Sequence, residues 1–149
     1  TLEALPLARQ MGTPERLRST LANLTHFYLE LNKPNEATTC LREATELTEQ
    51  IETAWATADT KFVCGRYYLK QKNFSAAKDA FSMACQVASQ AMIREIEADS
   101  LRYLAEIASL ENDLDTAKRL GQASLEIMYA IDYVDKDEME KWLNDLSQS

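Results

Sequence analysis

The sequence predicts an all-α chain: a right-handed superhelix of about three stacked helix pairs, with a partial helix at its N-terminal end and a capping helix at its C-terminal end. Three observations predict this. Turn formers are scarce, with three Gly and three Pro in 149 residues, too few for the tight turns of a sandwich or small barrel. Apolar residues recur at spacings of three and four over long stretches, the mark of helices with one buried face. The chain also matches itself three times over at a displacement of 40 residues. Ala37, Ala77 and Ala117 coincide, as do Leu24, Cys64 and Leu104, then Phe27, Tyr67 and Ile107, then Leu47, Val87 and Ile127. One such helix pair cannot bury its face alone, so stacking of the copies must supply the core.

At the N-terminal end, Ala4, Leu7 and Met11 stand 40 residues before Ala44, Leu47 and Ile51. Residues 2–12 therefore read as the end of a second helix whose first helix is missing, and the chain reads as a fragment of a longer array. Pro6 conflicts with a helix interior, so this element starts there or is kinked. Thr13-Pro14-Glu15 is a helix start: a capping Thr, Pro at the first helical position and an acid in the first turn.

Copy one covers residues 17–52. Leu17, Leu21, Leu24, Phe27, Tyr28 and Leu31 line its first helix; Asn32-Lys33-Pro34-Asn35 interrupts; Ala37, Cys40, Leu41, Ala44, Leu47 and Ile51 line the second. Copy two, residues 57–91, divides into 57–71 and 74–90 at Lys72-Asn73. Copy three, residues 96–131, divides into 96–110 and 114–130 at Glu111-Asn112-Asp113. A last helix over 137–146 carries Met139, Trp142, Leu143 and Leu146 on one side, and residues 1–149 form a single domain.

Charge and composition narrow the function. Sixteen Lys and Arg against 24 Asp and Glu give a net charge of −8, which argues against nucleic acid or an anionic membrane as a direct partner. No apolar run approaches the roughly 18 residues of a membrane span, and Thr1-Leu2-Glu3-Ala4 does not open a signal peptide. Three cysteines, Cys40, Cys64 and Cys85, without CxxC spacing suit a reduced cytoplasmic protein.

Catalytic and metal-binding patterns are missing. The three glycines stand apart at 12, 65 and 121, so no phosphate loop can form, and neither GxSxG nor HExxH occurs. The single histidine, His26, has no second His or Cys at metal spacing. Asp113-x-Asp115 and Asp135-x-Asp137 lack the glycine and final acid of a calcium loop. The expectation is no enzyme activity, no metal and no cofactor.

The repeated residues resemble the tetratricopeptide repeat family. Copy two carries the family pattern as Cys64-Gly65, Tyr68, Ala77, Phe81 and Ala84. Copy one has Leu24-Thr25, Tyr28, Ala37, Leu41 and Ala44; copy three has Leu104-Ala105, Ala108 and Ala117, then departs with Gly121 and Ser124 where Phe and Ala are expected. The 40-residue period exceeds the family's usual length of about 34. It is similar to the longer-helix variant of bacterial signalling ATPases, their associated transcription regulators and some eukaryotic scaffolds.

The resemblance implies a concave groove lined by the first helix of each pair. On this chain those positions are Ala22, Asn23 and His26, then Phe62, Val63, Arg66 and Lys70, then Asp99, Arg102, Tyr103 and Glu106. It implies that Arg66, Arg102, Asn23 and Tyr103 hydrogen-bond a peptide and that Phe62 anchors an apolar side chain. The Lys/Asn clamp that grips acidic chaperone tails is absent, since Ala22, His26, Phe62 and Arg66 occupy those places. The expected function is a non-catalytic interaction or sensor module that binds a peptide or partner segment, within a larger signalling or regulatory protein. The alternative is an effector-binding domain that senses a small molecule or short peptide in the same groove. Self-association through the apolar residues of 2–11 is a further expectation, as a consequence of an open solenoid end.

Overall fold

The structure is a computed structural model that describes residues 3–148. Thr1 and Leu2, the first of these at the chain start and the second opening the expected remnant helix, and Ser149 lie outside the described residues. Among the described residues the chain forms eight α-helices and no strand. They are α1 (Ala4–Met11), α2 (Pro14–Glu30), α3 (Pro34–Ile51), α4 (Ala54–Lys70), α5 (Phe74–Gln90), α6 (Arg94–Leu110), α7 (Leu114–Ala130) and α8 (Lys136–Ser147).

Helix α1 begins at Ala4, ahead of Pro6. Pro6 then sits in the first turn, where no backbone N–H has an intrahelical partner, so its missing donor costs nothing. Thr13 caps α2, its hydroxyl accepting the Arg16 N–H at 3.3 Å with Pro14 in the first turn. Asn73 and Asp113 cap α5 and α7 by accepting from the N–H groups of Ala76 and Thr116, each at 3.2 Å.

The links between helices hold a rhythm of their own. Asn32, Glu52, Lys72, Met92, Asn112 and Asp132 all have positive φ, between 52° and 62°, and stand 20 residues apart. Five of them end their helix in the same way. The next residue returns a backbone bond to the preceding turn: Lys33 to Tyr28, Asn73 to Tyr68, Ile93 to Ala88, Asp113 to Ala108 and Tyr133 to Met128, at 2.8–3.0 Å. These are Schellman closures, which satisfy carbonyls at the helix end. None of the six is glycine, so each turn carries the modest steric cost of a side chain in the left-handed region.

Every helix packs on its successor, and α2 also touches α4 while α4 touches α6. The first helices of the pairs therefore form one layer. The core is a stack of small clusters, each shared by neighbouring elements. Leu21, Leu24, Cys40 and Ala44 join α2 to α3, with Leu5 of α1 against them. Ala77, Phe81 and Ile107 join α5 to α6, and Leu125, Met128, Met139 and Leu143 join α7 to α8.

The departure of copy three from its pattern has a physical reason. Gly121 stands where copy two has Phe81 and copy one Leu41. A methyl group built there would meet Leu143 Cδ2 at 2.7 Å, Trp142 at 3.1 Å and Met139 at 3.2 Å. The side chains of α8 fill the space that a large residue at 121 would occupy. Ser124, in place of the Ala84 type, donates its hydroxyl to the Ala98 carbonyl at 2.7 Å.

Candidate functional site

The layer of α2, α4 and α6 brings most of the expected groove residues into one band. Residues 99, 102, 103 and 106 share a face of α6, since spacings of three and four return to the same side of a helix. The band begins on α2. Arg66 of α4 places its guanidinium 3.2 Å from His26 Nε2 and donates to Glu30 at 3.3 Å. With Nε2 accepting, the neutral ring carries its hydrogen on Nδ1. That Nδ1 is buried and has no hydrogen-bond partner. Burial first, and Arg66 second, hold the imidazole below its ordinary pKa, so the neutral ring is favoured.

The same Arg66 lies over the Tyr103 ring, 5.7 Å from its centroid, and Arg102 lies 5.1 Å from that centroid. Tyr103 is in turn stacked on Phe81 at 5.0 Å and meets Phe62 edge-on at 5.6 Å. One aromatic ring thus carries two cations and is itself fixed by the core.

Beyond Tyr103 the band turns acidic. Arg102 faces Asp99 at 3.7 Å and Asp135 at 3.5 Å, ion pairs beyond hydrogen-bond distance. Asp99 Oδ2 accepts the Tyr133 hydroxyl at 2.8 Å, while its Oδ1 is buried without a hydrogen bond, as is Arg102 Nε. Burial pushes the Asp99 carboxyl up, with the Tyr133 bond and Arg102 opposing. Burial likewise raises Glu106, and Glu138 adds to it against the pull of Arg102 and Arg66. Burial and the bond to Asp99 push the Tyr133 phenol upward.

Two of the groove expectations, Ala22 and Val63, need correction. Ala22 and Val63 are buried, packed with Leu41 between α2, α3 and α4, because that face of α2 and α4 meets α3. Phe62 is half-buried, with its ring edge-on to Phe81 and Tyr103. Lys70 is exposed one turn after Arg66 on α4 and borders a small cleft of about 240 Å³ at the α2–α3 link, with Asn32, Pro34 and Gln71. Asn23 is exposed on α2, one turn before His26 and Phe27.

Two features escaped the sequence reading. The first is Arg18, completely buried, which donates to Asp59 at 2.8 Å, to Thr60 at 3.2 Å and to Glu15 at 2.7 Å. Thr60 also shares a 2.7 Å bond with Thr48, so this network ties α2, α3 and α4 together. The repeat register held the signal: Asp59-Thr60 recurs as Asp99-Ser100, but Arg18 and Thr48 become Ala58 and Ala88. Ser100, fully buried, is left with no hydroxyl partner for that reason.

The second is a groove of about 660 Å³ between α3 and α5, on the other side of α4. Leu41, Cys64, Tyr67, Tyr68 and Met83 line it, with Arg42 and Glu46 among its polar residues. Thr38 and Tyr67 share a 2.7 Å hydroxyl bond at its wall.

Burial raises the thiol pKa of Cys40, Cys64 and Cys85, which disfavours the reactive thiolate. Among the described residues no group of three His, Cys, Asp or Glu is placed to hold a metal ion, and no helix is long and apolar enough to cross a membrane. No protein-family model matches the chain, and no curated protein matches it.

Proposed function

We propose that this chain is a non-catalytic interaction module, a right-handed solenoid of the tetratricopeptide type that binds a peptide or partner segment across α2, α4 and α6. The observation that carries the reading is the band from His26 through Arg66, Tyr103 and Arg102 to Asp99. It crosses three consecutive first helices and puts a histidine, two guanidinium groups and an aromatic ring in one row. Rigid helices hold these groups in place, and extended peptides are recognised by such rows of donors, acceptors and aromatic faces. The 40-residue register and the small residues at Ala37, Ala77 and Ala117, all fully buried, support the repeat assignment. A place within a larger signalling or regulatory protein of the cytoplasm follows from the same resemblance.

A second reading has one observation in its favour. The α3–α5 groove, at about 660 Å³ and lined by aromatic and aliphatic side chains, is of the size that takes a small effector. It lies on the face opposite the one expected for that role.

Panning a phage-displayed library of random linear peptides on the chain tests both. Selected peptides are titrated against wild type, against Arg66→Gln with Glu106→Gln, and against Arg42→Ala with Met83→Ala. Loss only in the first pair supports the α2–α4–α6 face. Loss only in the second moves binding to the α3–α5 groove, and failure to select any peptide refutes the peptide-binding reading.

A further inference from the structure

The groove between α3 and α5 runs further than its 660 Å³ part. A second cleft of about 370 Å³, reaching Thr48, Thr57 and Thr60, shares Thr45, Lys61 and Cys64 with it. Together they follow α4 from Thr57 to Gln71, a trough about 20 Å long at about 1.5 Å per helical residue. Helices α3 and α5 each pack on α4 and form the two walls. Small side chains open the floor: Cys64, Ala76 and Ala80 stand where, one repeat on, the chain has Leu104, Thr116 and Leu120. Met83, 47% exposed on α5, adds an adaptable apolar surface.

The hydroxyl groups of this trough are already spent within it. Thr45 and Thr48 donate to the Leu41 and Ala44 carbonyls at 2.8 and 2.7 Å. Thr60 is bonded by Thr48 and Arg18, and Thr38 bonds the Pro34 carbonyl and Tyr67. An extended segment laid here would bury N–H and C=O groups without partners, whereas a helix carries its backbone bonds within itself. A floor of small side chains also lets a helix axis approach closely. The charge around the trough is uneven: Glu46, Glu49, Glu52 and Asp79 stand against Arg42 and Lys61. None of the six is spent on an ion pair among the described residues. Glu49 and Glu52 also stand at the C-terminal end of α3, where the helix dipole is negative.

We propose that the trough docks an amphipathic helix of a partner, about four turns long, with its apolar stripe over Cys64 and Ala80 and a Lys or Arg flank along α3. The apolar floor selects a helix over an extended strand, and charge complementarity selects a basic flank over an acidic one. This surface lies on the other side of α4 from the His26–Arg66–Tyr103 band, and it adds to the binding proposed there without depending on it.

The test pans displayed four-turn helices on the chain, with apolar residues fixed at i, i+3, i+4, i+7 and i+11 and the flanking positions open to Lys, Arg, Glu and Gln. Selected helices are synthesised, stapled and titrated by fluorescence polarisation against wild type, Ala80→Leu, Glu46→Lys with Glu49→Lys, and Arg66→Gln. Circular dichroism confirms that each variant is folded. The expected result is selection of Lys and Arg on one flank. Ala80→Leu should weaken binding about tenfold or more by filling the floor. The double charge reversal should weaken it about tenfold and favour a Glu flank, and Arg66→Gln should leave it unchanged. If Ala80→Leu does not fold, the charge reversal, at two exposed residues, carries the test. Selection of no helix, or of helices indifferent to both trough variants, would overturn the proposal. Loss only in Arg66→Gln would overturn it too, while supporting the α2–α4–α6 face. Equal binding by the same sequence with a central Pro would overturn the helical occupant in favour of an extended one. A dimer of the chain in sedimentation equilibrium that Ala80→Leu dissolves would overturn the partner helix and give the trough to a second copy.

Discussion

Gly65→Ala is expected to destabilise the chain, although helix propensity alone says the reverse. Gly65 lies inside α4, is buried, and has an ordinary negative φ, so an Ala there should gain about 1 kcal/mol in propensity. The new methyl group, however, would stand 2.6 Å from Phe81 Cδ1 and Cε1 and 2.8 Å from Cγ. Restoring normal contact requires the Phe81 ring to retreat by about 1 Å. It has nowhere to go, being fully buried, stacked on Tyr103 at 5.0 Å and edge-on to Phe62 at 5.7 Å. Overpacking of this kind costs about 1–3 kcal/mol, more than the propensity gain over most of that range, and a net destabilisation of up to about 2 kcal/mol follows. Copy one meets the same geometry with Thr25 and Leu41, both buried. Phe81→Leu should therefore cost about 1–2 kcal/mol alone and much less in the Gly65→Ala background, with a coupling energy of at least about 0.5 kcal/mol. Urea unfolding followed at 222 nm measures all four corners of the cycle. A more stable Gly65→Ala, or costs that simply add, would refute the steric account.

Three further outcomes follow from other contacts. Arg18→Ala should cost about 3 kcal/mol, since it empties a fully buried site and strips Thr60, Asp59 and Glu15 of a donor. Arg18→Met, which keeps the volume, should cost clearly less in the same denaturation assay if packing dominates. Acidification should weaken the fold through His26: its folded pKa lies below the 6.5 of the free residue, so the unfolded chain takes up the proton first. Stability is then full above pH 6.5 and falls as pH drops toward the folded value. His26→Gln should flatten that slope in melting temperatures compared between about pH 7.5 and pH 6, above the range of the carboxylates. Gly121→Ala, driven into Leu143 and Trp142, should loosen α8 from α7; hydrogen exchange should rise in Lys136–Ser147 and stay unchanged in α2 and α3.

The helices were legible because their cause is local. Leu17, Leu21 and Leu24 repeat at helical spacing, and Thr13-Pro14-Glu15 announces a start. The 40-residue register carried this further, to the buried alanines at 37, 77 and 117. The turns were half legible: Asn32, Asn112 and Asp132 tolerate the left-handed region, whereas nothing about Lys72 or Met92 as residues foretells their positive φ. There the Schellman closure of a helix whose length is set by packing decides the conformation.

The band on α2, α4 and α6 shows the same division. Its residue types and their helical face could be read from periodicity and from the resemblance, since His26, Arg66 and Glu106 differ by whole repeats. Which of them meet could not. Phe62 joins the core because Phe81 and Tyr103 offer it aromatic partners across two helices. Arg18 is buried because Asp59 and Thr60 stand opposite it, and Gly121 is small because α8 returns over it. The sequence by itself determined the helices and their apolar faces, consequences of interactions within a few residues, and its 40-residue register gave their order in pairs. The tertiary structure decided which charges are satisfied and which aromatic rings pack on one another, because those outcomes depend on distances between separate helices that no single stretch of chain encodes.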